Sequence, residues 1–235
     1  MRQLTLPIGR TRPPAFDTFV AGPNVLAVAQ LLELAAHPAA AALPLPAVYL
    51  WGPAGCGKSH LLGALAGRWQ ARGAEVGFFD PQTPLPWPLD ERRELVVLDD
   101  CDGFDADRQQ AAFALFVDAV ARGALVAAAG RLPPVDLPLR DDLRSRLGWG
   151  DVLALQPLGE ADVKTVLDNE ARRRGLQLPA DVGAYVLSHF ARDLKSLMTL
   201  LDRADEFALS QQRALTIPLI RQMLQEQQAA GVADR

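Results

Sequence analysis

Val48-Tyr49-Leu50-Trp51 runs directly into Gly52-Pro53-Ala54-Gly55-Cys56-Gly57-Lys58-Ser59, and an amphipathic stretch follows from Lys58 to Arg72, ended by Gly73. An apolar run, a glycine-rich octapeptide and a helical periodicity, in that order, read as strand, phosphate loop and helix. The octapeptide satisfies the whole G-x-x-x-x-G-K-[ST] pattern. Its glycines let backbone N–H groups turn toward phosphate oxygens, and the helix that starts at Lys58 presents its positive end to the same anion. Lys58 is placed to reach the β- and γ-phosphates, and Ser59 to put its hydroxyl on Mg²⁺. ADP or ATP with Mg²⁺ is therefore the expected cofactor set.

Outward from this core, Val76 to Phe79, Leu95 to Leu98 and Leu125 to Ala129 read as further strands, with Val152 to Leu155 as a fifth. A helical pattern from about Asp107 to Arg122 separates the third from the fourth. Apolar strands alternating with helices imply an α/β fold whose parallel sheet is covered by helices and binds ligands at the strands' C-terminal ends. Leu95-Val96-Val97-Leu98-Asp99-Asp100 ends in two carboxylates. Beside a phosphate loop, Asp99 is expected to hold the metal through water, and Asp100 to orient or deprotonate an attacking water.

Upstream, prolines make Thr11 to Phe16 an extended tether, and Asn24 is suited to cap a helix from Val25 to Ala36 that stops near His37-Pro38. Downstream of Leu158 the strand signals stop. Helices are expected over about Glu160 to Arg174, Pro179 to His189, Asp193 to Ser210 and Pro218 to Gln228, together forming a small all-α lid. The expected organisation is a tail at 1–12, a nucleotide-binding α/β domain at 13–157 and the lid at 158–235. Pro81 to Pro88 reads as a surface loop, and the arginines of Arg144-Ser145-Arg146-Leu147-Gly148-Trp149-Gly150 read by themselves as a solvated basic turn.

Composition narrows the function classes. With 49% hydrophobic and 22% charged residues, the 235-residue chain has the material for packed cores. A formal net charge of −4 works against unaided capture of nucleic acid, because sequence-independent affinity comes from Lys and Arg displacing counterions. Of the two cysteines, Cys56 lies inside the phosphate loop, so a disulfide framework is not expected; with no apolar N-terminal leader and no membrane-length run, the cytoplasm is the default location. His37, His60 and His189 lack metal-ligand spacing.

Together these motifs resemble the DnaA-related AAA+ family, and within it the short Hda branch. The resemblance is carried by Phe16-Asp17-Thr18-Phe19-Val20, by Gly57-Lys58-Ser59-His60-Leu61-Leu62, by the Asp99-Asp100 pair, by Leu143 to Gly150 and by Arg192-Asp193-Leu194. It implies an AAA+ phosphate-loop parallel sheet domain followed by a helical lid. It implies further that Phe16, Phe19 and Val20 border the adenine pocket with His60 close by, that Arg146 is an arginine finger offered to a neighbour's ATP, and that Arg192 is the lid arginine touching bound phosphate. Gln3-Leu4-Thr5-Leu6-Pro7-Ile8 looks like the branch's docking peptide for the β sliding clamp of DNA polymerase III, an extended segment whose Gln3, Leu4, Leu6, Pro7 and Ile8 suit a cleft.

The partners implied are DnaA, the clamp and, through the clamp, DNA; no membrane partner is expected, and a nucleotide-dependent homo-oligomer is compatible. The implied role is negative regulation of replication initiation. Two departures from the family pattern matter. A DnaA-type helix-turn-helix region after the lid is not expected, the last expected helix lying close to Arg235, and the polar residue the family has at the end of the fourth strand falls within Ala127-Ala128-Ala129-Gly130, with Arg131 the nearest polar side chain. Intrinsic hydrolysis is expected to be weak or absent. The competing reading is a nucleotide-switched adaptor or helicase loader on single-stranded DNA or a helicase, which calls for a basic, aromatic-rich groove that the sequence does not display.

Overall fold

A computed structural model describes residues 13–36, 47–190, 194–211 and 213–233. After a helix α1 over Val25–Ala36, strand β1 (Ala47–Trp51) leads through the phosphate loop into α2 (Lys58–Gln70). Then come β2 (Glu75–Phe79), β3 (Arg93–Leu98), α3 (Ala106–Ala121), β4 (Leu125–Gly130), α4 (Asp141–Leu147) and β5 (Asp151–Ala154). All five strands are parallel and lie in the order β2-β3-β4-β1-β5. Chain order reverses beside β1, so the loop at its end opens where a doubly wound sheet binds ligands.

Burial rather than propensity holds the central strand. β4 is Leu-Val-Ala-Ala-Ala-Gly, poor in β-formers, yet every residue is buried. Period-two alternation splits the sheet's side chains between two faces. Tyr49, Val96, Leu98, Val126 and Ala128 share a buried cluster with Leu115 and Phe116 of α3 and with Leu143 and Leu147 of α4. The alternate residues, such as Leu50, Val97 and Ala127, face the other way. There α2 packs against β2, β3 and β4, with Leu61, Leu62, Leu65 and Trp69 all fully buried along it.

The lid consists of α5 (Glu160–Arg173), α6 (Ala180–His189), α7 (Leu194–Gln211) and α8 (Ile217–Ala233). Val163, Leu167, Val182, Val186, Leu197, Leu201 and Ile220 close its own core. The chain divides into two compact units, the sheet unit ending at Leu155 and the lid unit running from Gln156; Val20–Pro23 and Ala54–Cys56 group with the latter. No helix among the described residues is long and apolar enough to cross a membrane.

Two local readings change, and the surface loop 81–88, exposed as expected over most of its length, gains an anchor. Only residues 13–15 of the expected tether are described as extended: Phe16–Thr18 is a 3-10 turn, Phe16 is buried, and Pro14 packs so closely on α2 that a Cβ at Gly63 would come within 2.9 Å of its ring. The proline-rich loop 81–88 is pinned inward by Trp87, whose ring meets Phe79 at 5.0 Å and Phe104 at 5.4 Å. The supposed basic turn is the last turn of α4. Leu143 and Leu147 at i, i+4 bury one side of that helix, while Asp141 and Asp142 in its first turn and Arg144 and Arg146 in its last complement its dipole.

Gly150 follows from how β5 joins β1. A Cβ there would sit 1.7 Å from the Ala47 carbonyl oxygen, whereas at Gly148 the nearest atom would be an ordinary 3.5 Å away. Gly150→Ala is expected to cost about 3 kcal/mol or more through backbone displacement, and Gly148→Ala less than about 1 kcal/mol. Urea unfolding of the two variants beside the parent checks this; equal midpoints would remove the account of the β1–β5 junction.

Candidate functional site

The loop between β1 and α2 turns on its glycines. Gly52, Gly55 and Gly57 have φ of 154°, 78° and 98°, and Gly57 is additionally excluded from carrying a side chain because a Cβ would lie 2.5 Å from Phe19 Cε2. Phe19 is thus seated on the last residue of the loop. Beside it His60, in the first turn of α2, donates from Nε2 to the Ala15 carbonyl at 3.0 Å, with Thr18 Oγ1 3.3 Å away and the Phe19 ring centroid at 5.6 Å. The ends of the Phe16–Phe19 segment are therefore fastened to the phosphate-loop helix by sequence-distant contacts. Asp17 adds an exposed ion pair to Arg68 at 3.5 Å, and Val20 next in the chain is half-buried.

Lys58 is only 5% exposed, and its ammonium donates to the Gly52 carbonyl at 2.8 Å and to the Pro53 carbonyl at 3.0 Å. Next to it in sequence, the exposed Ser59 hydroxyl lies near the Asp99 carboxylate and favours its ionised form. Asp99 is 6% exposed and also accepts the Asp100 amide at 2.9 Å. Burial pushes the Asp99 carboxyl above its ordinary pKa and the nearby Asp100 adds to this, while the Ser59 hydroxyl, the Asp100 amide and the Lys58 ammonium pull the other way. Asp100 is exposed and takes a left-handed backbone conformation, φ 49° and ψ 46°. Its carboxylate leaves the strand on the solvent side.

Hard oxygen donors from Ser59 and Asp99 suit Mg²⁺. No group of three or more His, Cys, Asp or Glu able to hold a metal occurs among the described residues, so protein ligands alone do not form a cage.

β4 ends between β1, which feeds the phosphate loop, and β3, which ends at Asp99. Ala127, Ala128 and Ala129 bring no polar side chain there. Arg131 is turned onto Asp102, which takes its backbone N–H at 3.0 Å and its Nε at 2.6 Å. Tyr49, fully buried on β1, donates its hydroxyl to the Leu132 carbonyl at 2.9 Å. Burial, with Cys101 and Asp102 nearby, pushes its phenol well above the usual tyrosine pKa, so it remains a donor.

Arg146 differs from its neighbours on α4. Arg144 pairs with Asp141 at 2.6 Å, and Arg140 with Asp142 at 2.7 Å and with Gln110. Arg146 has no ion pair or hydrogen bond from its guanidinium to another described residue. Its Cζ lies 4.3 Å from the centroid of Trp149 and 5.6 Å from that of Phe113. Trp149 is 54% exposed, so the charge rests on aromatic faces at the rim of the fold.

The structure therefore brings together Gly52, Pro53, Gly57, Lys58, Ser59, His60, Asp99, Asp100, Phe16 and Phe19 on the sheet unit, and carries Arg146 separately on α4. Ala54, Gly55 and Cys56 lie in the same loop. Arg192 and the tail residues Gln3, Leu4, Leu6, Pro7 and Ile8 lie outside the described residues. Sequence reading passed over Tyr49, Asp102 and Phe113. Phe113 had a signal in the helical periodicity of α3, but nothing in linear order points from it to Arg146.

Two family models match the chain: the ATPase domain of bacterial DnaA over residues 11–76, and the Hda lid domain over residues 160–224. Among solved structures, domain III of the Thermotoga maritima replication initiation protein DnaA superposes with a TM-score of 0.75 at 20% identity, covering 90% of this chain and 95% of that one. AMPPCP-bound DnaA from Aquifex aeolicus gives 0.64 at 19%, with 80% of this chain covering 64% of that one. The RuvB Holliday junction branch migration motor of Thermotoga maritima gives 0.65 at 16%, covering 91% and 72%. These likenesses show a shared AAA+ fold.

The raised Asp99 pKa has a stability consequence of definite sign. The folded state holds this proton more tightly than the unfolded state, so the carboxyl's contribution is favourable at low pH and is lost as pH rises from the ordinary carboxylate range through the folded value. Asp99→Asn, which keeps the shape without the charge, is expected at neutral pH to be at least as stable as the parent without nucleotide. Urea unfolding between pH 4 and 7 tests it, and a variant losing more than about 1 kcal/mol at pH 7 would contradict a net cost of the buried charge.

Proposed function

We propose that this chain, which is an AAA+ protein related to DnaA and Hda, binds adenine nucleotide with Mg²⁺ and restrains replication initiation by stimulating ATP hydrolysis in DnaA. The observation that carries the proposal is the state of Arg146. A guanidinium held on two rings, with no carboxylate partner among the described residues, keeps its N–H fork for a polyphosphate presented from outside the molecule. A solvated basic turn would have no reason to neutralise Arg140 and Arg144 and leave Arg146 uncommitted.

In the chain's own site, the loop amides, Lys58 and the start of α2 would hold the phosphates, with Phe16, Phe19, Val20 and His60 toward the base. Two observations support nucleotide binding: the loop geometry, and the likeness in fold to an Aquifex aeolicus DnaA that is itself AMPPCP-bound. Mg²⁺, held by Ser59 and through water by Asp99, would neutralise phosphate charge. In DnaA's site, Arg146 would stabilise charge developing on the transferred γ-phosphoryl oxygens. Gln3 to Ile8, docked on the β clamp, would place the cytoplasmic protein close to DnaA on the same DNA and raise the effective concentration of the finger.

Arg146→Ala is expected to lower stimulated phosphate release from DnaA by about 10³-fold with clamp binding intact. Trp149→Ala is expected to cost about tenfold in the maximal rate, with Trp149→Phe restoring most of it and the concentration for half-maximal stimulation little changed. Single-turnover hydrolysis by ATP-loaded DnaA, with DNA-loaded clamp, reads both; full stimulation by Arg146→Ala sinks the finger. Separately, Gln3→Ala with Leu6→Ala is expected to abolish clamp pull-down while leaving ADP affinity unchanged. Retained pull-down would dismiss the tail as the anchor.

A further inference from the structure

Gly130 ends the central strand of the sheet, between the strand that feeds the phosphate loop and the strand that ends in Asp99. Its backbone is not among those that favour glycine, since its φ is not positive. What forbids a side chain is a neighbour. A Cβ at 130 would sit 2.2 Å from the Tyr49 hydroxyl oxygen, 3.2 Å from Asp102 Oδ1 and 3.3 Å from Leu137 Cδ2. The Tyr49 ring is fully buried, and its hydroxyl is fixed by donation to the Leu132 carbonyl, so it cannot swing aside without breaking that bond. The nearest polar side chain past the strand, Arg131, is held twice by Asp102.

We propose that Tyr49 is a plug: its hydroxyl fills the space a side chain at 130 needs, so β4 ends without a side chain of its own to align a water on a bound γ-phosphate, and the hydrogen-bonding groups described beside it are already engaged, Tyr49 with the Leu132 carbonyl and Asp102 with Arg131. The site then retains nucleotide instead of consuming it. This rests on the reading of the phosphate loop as a nucleotide site and adds what that reading lacks, the residues that hold turnover down. Orienting the attacking water is a main part of what a protein contributes to phosphoryl transfer. Asp100, exposed beyond the end of β3, is the carboxylate that remains for this task at the described strand ends.

The test separates the steric claim from the functional one. Gly130→Ala is expected to lower the melting temperature of the full chain by about 5 °C or more, and to do so much less in a Tyr49→Phe background, where the obstructing oxygen is gone. Additive effects, or a parent-like melt for Gly130→Ala alone, would overturn the plug. The pair Tyr49→Phe with Gly130→Asn, which opens the space and fills it with a hydrogen-bonding side chain, is expected to turn over ATP at least about tenfold faster than the parent. A pair that folds, binds ATP and hydrolyses it no faster would overturn the functional half. Calorimetry with ADP on parent and pair identifies the other failure: no heat from either would overturn the nucleotide reading itself, whatever the melting experiment returns.

Discussion

A lysine ammonium buried to 5% exposure needs acceptors in place of water, and in this molecule it finds them in the loop that precedes it. The carbonyls of Gly52 and Pro53 take the Lys58 N–H groups because the glycines allow the loop to curl back over the start of α2. Much of the sheet unit is arranged around that closure. Phe19 occupies the space that a side chain at Gly57 would take, His60 ties the preceding segment to the same helix, and Ser59 reaches the carboxylate at the end of β3. A polyphosphate entering this loop would offer the ammonium stronger acceptors than two carbonyls, because hydrogen bonds between ionised partners exceed those to neutral oxygens.

Positive charge is handled differently on α4. There the helix's own aspartates neutralise Arg140 and Arg144, as its dipole and short spacing favour. Arg146 points to the side where α3 offers Phe113 and the chain after the helix offers Trp149. Guanidinium is weakly hydrated, so resting on aromatic faces costs it little and leaves its donors unspent. One short helix thus carries both committed and uncommitted arginines, and only their neighbours distinguish them.

What could be read in advance follows from the range of each interaction. The phosphate loop, the apolar runs of β1, β3 and β4, and the lid helices are local patterns, and they were legible within about a turn at each end, except that α8 continues past the expected Gln228 to Ala233. α4 was not, because seven residues between a proline-rich loop and Gly148 give too little periodicity, although Leu143, Leu147 and the split of acidic and basic residues were in plain view. The inward anchoring of Trp87 depends on Phe79 and Phe104, both distant in the chain. Cross-strand register hides the rest: Tyr49 lies opposite Ala128 on β4, which is what brings its hydroxyl to Gly130. No one-dimensional spacing encodes that contact.

The alanines of β4 belong to the same packing arrangement. A central parallel strand is buried on both faces and normally draws on Val and Ile; here Ala127, Ala128 and Ala129 leave little volume of their own, and larger neighbours fill it. On one face Tyr49 is such a neighbour, fully buried within the cluster of α3 and α4. A tyrosine packed there needs a partner for its hydroxyl, and the Leu132 carbonyl just past the strand supplies it. The same bond positions the hydroxyl at the end of β4. Small residues in the strand and an immobile oxygen at its end are therefore two aspects of one packing solution, in which the space beside the phosphate loop is taken up by core-forming atoms.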